Sequence, residues 1–131
     1  MKIKSSRSLV NEALTQIKTI SPQEALERIN NNKCNLIDIR DIRELERLGR
    51  IENSSHVPRG MLEFWMDPDS QYFKDGKIDM NKEMVLFCAG GLRSALATKS
   101  LQEMGFSNVS NAAGGFDALK KIGLEVVPKD K

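Results

Sequence analysis

Met84-Val85-Leu86-Phe87-Cys88-Ala89-Gly90-Gly91-Leu92-Arg93-Ser94 is the stretch on which the fold turns. Its first five residues form an unbroken apolar run, bounded by Glu83 on one side and glycines on the other. A run of that length reads as a strand buried on both faces, as in a parallel sheet. Gly90 and Gly91 permit a tight turn. A helix is expected from Ser94 to Met104, with Ala95, Leu96, Leu101 and Met104 as its apolar positions and Gly105 as its stop. A buried strand feeding a helix through a short loop is half of a βαβ unit.

The same alternation continues on both sides. Upstream, Leu9, Val10, Ala13, Leu14 and Ile17 make one stripe of an N-terminal amphipathic helix. Ile20 follows in a short extended segment. Ser21-Pro22-Gln23-Glu24 starts a second helix, with Ser as N-cap, Pro at the first position and Glu at the third. Ala25, Leu26 and Ile29 form its buried face. Cys34 to Ile39 reads as a strand, and Asp41 to Leu48 as a helix of mixed charge stopped by Gly49. Ser55-His56-Val57-Pro58 suits an edge strand, because Pro cannot serve a central one. Met61 to Met66 is a short apolar turn or helix, and 67–82, with Pro68 and Asp75-Gly76, a surface loop. Downstream, Val109 lies in a short strand, Gly114-Gly115 turns, and Phe116, Leu119 and Ile122 mark a last helix. Alternating strands and helices predict an α/β fold with a parallel sheet between helical layers. Ligand chemistry in such sheets is expected at the carboxyl ends of the strands.

Composition narrows the function. The chain has 131 residues, enough for one domain with a real core. Twenty basic and 18 acidic residues leave a net charge of +2, too little for a nucleic-acid or acidic-membrane partner. Aromatics at 5% argue against a base-stacking surface. The N-terminal region has no apolar export segment. Two cysteines cannot make a disulfide scaffold, so Cys34 and Cys88 are read as free thiols in a reducing cytoplasm.

The chemistry concentrates at Cys88. A thiol between a strand end and a helix N-terminus faces backbone N–H groups that curl into an anion nest, and the positive end of the helix dipole. Both favour thiolate, lowering a pKa that is about 8.5 in a free cysteine. Ala89, Gly90, Gly91 and Leu92 would wall the nest, and Arg93 would add a planar fork of donors. A lone buried cysteine is ordinarily a small core residue; here Cys, two Gly, Arg and Ser coincide at one strand-to-helix junction, which together with the resemblance given below favours function. Four residues separate Cys88 from Arg93, one fewer than in cysteine-dependent phosphatases. The shorter ring suits a persulfide sulfur or small oxyanion better than a phosphoester. His56 is the single histidine, and nothing in the sequence places it beside Cys88, which argues against a Cys–His hydrolase.

The loop Cys88-Ala89-Gly90-Gly91-Leu92-Arg93-Ser94 resembles the active-site loop of rhodanese-like sulfurtransferases. Leu36-Ile37-Asp38-Ile39-Arg40-Asp41 with Glu44, Gly49-Arg50-Ile51 with His56-Val57-Pro58, and Ala113-Gly114-Gly115-Phe116 resemble three further motifs of that family, in order. The resemblance implies a rhodanese-like three-layer α/β/α domain with a five-stranded, mostly parallel sheet over 17–127, preceded by a helical extension over 1–16. It implies ping-pong transfer of a sulfane sulfur from a small donor to a thiol acceptor through a Cys88 persulfide. Ala89, Gly90, Gly91, Leu92 and Arg93 would hold the substrate sulfur, with no metal and no organic cofactor.

Departures from the family pattern matter too. Thiosulfate-using members often carry a basic residue inside the loop, where this chain has Ala89 and Leu92. Arg50 stands where the family often has His. Thiosulfate is therefore not the expected physiological donor, although some activity with it is expected. Arg59 is a candidate replacement cation at the pocket rim, against the plainer reading of an exposed arginine. Like residues in the family suggest that Asp38 and Arg40 form a structural ion pair. Arg40, Arg43, Arg47 and Arg50 recur at helical spacing and are expected to stack on one solvated face among Asp41, Glu44 and Glu46. Cys34 reads as a core residue, or as a resolving thiol if it lay near Cys88. Met61, Phe64 and Trp65 form an apolar knot that packs in the core or walls the pocket. The N-terminal stripe could pack on the domain or form a homodimer contact. The alternative to an enzyme is a rhodanese-like interaction module or a sulfur-carrier relay.

Overall fold

A computed structural model describes residues 1–73 and 78–130. The predicted Asp75-Gly76 turn lies outside the described residues. The elements in chain order are α1 (Ser6–Gln16), β1 (Lys18–Ile20), α2 (Pro22–Asn30), β2 (Cys34–Asp38), α3 (Ile42–Leu48), β3 (Arg50–Ile51) and β4 (Ser55–His56). There follow a 3₁₀ turn (Arg59–Met61), α4 (Leu62–Trp65), β5 (Glu83–Phe87), α5 (Leu92–Glu103), β6 (Val109–Ala112), α6 (Gly115–Lys121) and β7 (Val126–Val127). Among the described residues no helix is long and apolar enough to cross a membrane.

Five strands form one sheet in the order β1-β6-β5-β2-β4, every neighbouring pair parallel. The all-apolar run sits in the centre as β5, buried along its whole length. Its side chains alternate between two cores, as the two-residue period of a strand requires. Met84, Leu86 and Cys88 join Ile37, Ile39, Leu62, Met66, Ala97 and Leu101 on one face. Val85 and Phe87 join Ile20, Ala25, Leu36, Phe116 and Leu119 on the other. Helices α4 and α5 thus cover one side of the sheet, and α2 and α6 the opposite side. Ser55-His56-Val57-Pro58 supplies the edge strand β4, which ends before the proline.

Local signals set several boundaries. The Ser21 hydroxyl accepts from Glu24 N–H while the Glu24 carboxylate accepts from Ser21 N–H, a complete capping box. Asp41 and Glu44 repeat the device on α3. Helix α1 forms over the predicted stripe and lies outside the sheet layers. Val10 and Ala13 pack on Ala95 of α5, with Ile17 and Leu96 beside them.

Two expectations are corrected, and one element is added. Helix α5 begins at Leu92, two residues before the predicted Ser94, because Gly91 adopts φ +104 and takes the N-cap position. That conformation is cheap for glycine and costly for other residues. The arginine stripe does not exist: Arg40 precedes the α3 cap and is buried, and Arg50 follows Gly49 in a strand. Arg50 and Ile51 pair antiparallel with Val127 and Val126 in a separate two-stranded ribbon. Two-residue strands carry too little alternation to be read from sequence.

Candidate functional site

Strand order explains where the site lies. The connection leaving β2 runs towards β4, whereas that leaving β5 runs towards β6. The crevice between the carboxyl ends of β2 and β5 is the switch point at which open α/β sheets bind ligands. Arg40 follows one of these strands and Cys88 the other.

Cys88 is 1% exposed. Its Sγ accepts from Gly91 N–H at 3.1 Å and lies 3.4 Å from the Ser94 hydroxyl. Burial pushes the thiol pKa up, but the Ser94 hydroxyl, then the backbone N–H groups of Ser94, Gly91 and Gly90, outweigh it. The Cys88 pKa therefore lies below the ordinary thiol value. Ser94, which by sequence only opens the helix, is fully buried and also donates to Asn111 Oδ1 at 2.6 Å.

The back of the loop is held by α6. Phe116 N–H donates to the Cys88 carbonyl at 2.8 Å and Asp117 N–H to that of Ala89 at 3.4 Å. Gly115, at φ +58, is what allows this approach. A Cβ there would run into the Cys88 carbonyl oxygen and lie 2.8 Å from the carbonyl carbon and oxygen of Ala89.

Arg93 is held from the side. Its Nη1 and Nη2 donate to the two carboxylate oxygens of Glu44, each at 2.9 Å, the bidentate geometry that orients a guanidinium most firmly. This hydrogen bonding, more than any other cause, holds the Glu44 pKa below its ordinary value. It likewise raises that of Arg93, to which the neighbouring Cys88 sulfur also contributes. Glu44 also accepts from Asp41 N–H at the α3 cap, so one carboxylate joins helix start and active loop. The capping spacing is visible in sequence; the partner 49 residues away is not.

Asp38 and Arg40 form a fully buried ion pair. Arg40 Nη2 donates to Asp38 Oδ2 at 2.8 Å and to the Gly49 carbonyl at 2.9 Å, and Arg40 Nε and N–H also reach Asp38. The guanidinium lies 4.0 Å from the Phe116 ring centroid. The pair therefore braces the residue whose N–H holds the Cys88 carbonyl.

Other candidates fall away from the sulfur. His56 Nε2 donates to the Arg40 carbonyl at 2.7 Å and braces β4. Arg59 Nη1 donates to both oxygens of Glu63, at 3.0 and 2.9 Å, and Glu63 accepts in turn from Ser100 on α5. Ser100 is two turns beyond Arg93, about 10 Å along the helix. Arg59 is thus paired with Glu63, the residue that joins α4 to Ser100 on α5. Cys34 pairs in register with Glu83, at the opposite end of the strands. At about 3.3 Å per residue it is roughly 16 Å from Cys88 and no resolving thiol. Burial, then the Glu83 charge, pushes its pKa up to about 11. Trp65 packs against the α4/α5 core, whereas Phe64 is exposed and meets Tyr72 edge-on at 6.5 Å. A groove of about 420 Å³ between α1 and α5 opens beside the loop, lined by Val10, Leu14, Leu92, Arg93 and Leu96 among others.

The profile of the rhodanese-like domain matches residues 21–122. A thiosulfate sulfurtransferase, GlpE, of Actinobacillus pleuropneumoniae is 29% identical over 117 residues, covering 89% of this chain and 96% of that protein. A protein of unknown function from Rhodopseudomonas palustris, described as a possible tyrosine phosphatase, superposes with a TM-score of 0.88 at 39% identity, covering 97% of each chain. The homodimeric polysulfide-sulfur transferase of Wolinella succinogenes superposes with a TM-score of 0.71 at 32% identity, covering 92% of this chain and 85% of that one. With a parallel sheet, a cysteine nest at its switch point and a family match over most of its length, the chain belongs to the rhodanese-like domain family.

Proposed function

We propose that the protein is a sulfurtransferase that carries a sulfane sulfur on Cys88. The observation that carries this reading is the sulfur itself, buried in a nest of Gly91 N–H and Ser94 hydroxyl with its pKa depressed. A thiolate is the nucleophilic form of cysteine. In the first half-reaction Cys88 Sγ attacks the outer sulfur of a small donor. The new Sγ–S bond forms as the donor's own bond to that sulfur breaks, and the donor leaves with the electron pair as an anion. In the second, an acceptor thiolate attacks the outer sulfur of the Cys88 persulfide, and Cys88 leaves as thiolate. Neither half-reaction needs an external oxidant or reductant.

The backbone N–H groups of the loop would stabilise the anionic persulfide, as preorganised dipoles stabilise developing charge. Arg93, oriented by Glu44, adds a positive charge at the loop. Sulfane-sulfur relatives support the reaction class. A reducing compartment such as the cytoplasm would keep both cysteines as thiols. Incubation with thiosulfate, mercaptopyruvate or glutathione persulfide is expected to add one sulfur mass to Cys88, and Cys88→Ser to abolish transfer to cyanide while keeping the fold. Absence of that mass with every donor, on folded protein, would falsify the reading.

A phosphatase is the second reading, favoured by the description of the Rhodopseudomonas palustris protein. Four residues between Cys88 and Arg93 leave one fewer loop N–H for a phosphoryl group. Cys88-dependent hydrolysis of an aryl phosphate would decide for it.

A further inference from the structure

Three buried side chains meet behind the loop: Cys88 on the end of β5, Ser94 in the first turn of α5, and Asn111 on β6, none more than 2% exposed. The Ser94 hydroxyl owns one proton and stands between two acceptors, Asn111 Oδ1 at 2.6 Å and Cys88 Sγ at 3.4 Å. When the proton points to Asn111, Ser94 turns hydroxyl lone pairs to the sulfur, which on that side suits S–H as donor, while Gly91 N–H still donates to Sγ. An anionic sulfur needs the reverse, with the hydroxyl donating to it. Asn can accommodate both, because rotating its amide by half a turn replaces the acceptor oxygen by a donor nitrogen. No second hydrogen bond fixes the Asn111 amide: among the described residues, the contact with Ser94 is its one side-chain hydrogen bond. Aspartate in that place could only accept, and an aliphatic residue could do neither.

We propose that Asn111 is a positioning residue for sulfur transfer: its amide turns to send the Ser94 hydroxyl proton towards Cys88 whenever the sulfur is anionic. The inference rests on the sulfurtransferase reading and deepens it. In the resting thiol, Ser94 donates to Asn111 Oδ1. On ionisation the Cys88 proton leaves to water, Asn111 Nδ2–H donates to Ser94 Oγ, and Ser94 O–H donates to Sγ. No covalent O–H or N–H bond is broken. The same arrangement holds the sulfur as thiolate in attack and again as leaving group. Both half-reactions then draw on one buried switch, which needs no ionisable side chain beyond the cysteine.

The test reads protonation without any sulfur donor, so it stands apart from the test of the transferase reading. Full-length protein with Cys34→Ser is titrated by iodoacetamide alkylation of Cys88, and the Asn111 side-chain NH₂ resonances are followed over the same pH range. The two midpoints should coincide. In Ser94→Ala the Asn111 resonances should stop titrating, and Ser94→Thr, which keeps the hydroxyl, should restore them. Asn111→Asp should raise the Cys88 midpoint by about one unit, roughly tenfold in thiolate at pH 7, and by clearly less when Ser94 is alanine. If the Asp substitution shifts the midpoint equally in both backgrounds, the effect is through-space charge alone and the proposal is overturned. It is also overturned if the Asn111 amide ignores the ionisation of Cys88. Should Asn111→Asp fail to fold, the Ser94→Ala and Ser94→Thr titrations decide the matter.

Discussion

Gly115→Ala should damage the active loop from a position that never touches substrate. Two costs can be worked from the structure. Gly115 sits at φ +58, where a Cβ costs roughly 1–2 kcal/mol. The added methyl would lie 2.8 Å from the Ala89 carbonyl carbon and oxygen, against the 3.4 Å at which ordinary contact begins, and closer still to the Cys88 carbonyl oxygen. These are backbone atoms, so relief requires the loop to retreat by about 0.6 Å or more. Forcing extra atoms into a packed interior costs roughly 1–3 kcal/mol more. A total near 3 kcal/mol lowers the melting temperature of a chain this size by roughly 10 °C. A retreat of that order also pulls Sγ out of register with Gly91 N–H, and misplacement by about 1 Å can cost 10²-fold in rate. The assay is thermal unfolding together with transfer from a sulfane donor to cyanide, with Gly90→Ala as control. Nothing lies within 4 Å of a Cβ at Gly90, and its φ is not positive, so the fold should tolerate the change. A Gly115→Ala protein with unchanged melting temperature and unchanged transfer rate would refute the reasoning.

Asp38→Ala strands the buried Arg40 charge and should destabilise the domain by about 3–5 kcal/mol, read as a loss of denaturation midpoint. Glu44 has its folded pKa depressed, so the stability it contributes is present above its ordinary value of 4.5 and lost as pH falls through the lowered folded value. Glu44→Gln should therefore flatten the acid limb of the stability curve and release Arg93, seen as slower persulfide formation at neutral pH. Cys88, with its depressed pKa, should be alkylated at neutral pH before Cys34, whose pKa is about 11; peptide mapping showing Cys34 modified first would contradict the assignment. Ala13→Asp places an unpaired charge where α1 meets α5, and should cost roughly 2–3 kcal/mol. Hydrogen exchange should then rise over 6–16 while β5 stays protected.

Much of this protein is written in short-range pattern. The apolar run 84–88, the caps at Ser21 and Asp41 and the spacing of Leu9, Val10 and Ala13 each act between residues four or fewer apart. Each therefore determined an element almost to its boundary. The position of Cys88 before a glycine turn and a helix follows in the same way, since strand, turn and helix are local preferences. That was enough to place the thiol at a strand end and to single it out from Cys34.

What braces the nest around the sulfur was decided by tertiary structure. Arg93 meets Glu44 across 49 residues, and Ser94 meets Asn111 across 17. Gly115 backs onto a loop that left the sheet on a different strand. The arginines at helical spacing parted company because one is drawn into the core by Asp38 and another into a ribbon with Val127. Hydrophobic periodicity says which face of an element is buried, but not which polar group waits there. That depends on strand order and register, and these are settled only when the whole sheet closes around β5.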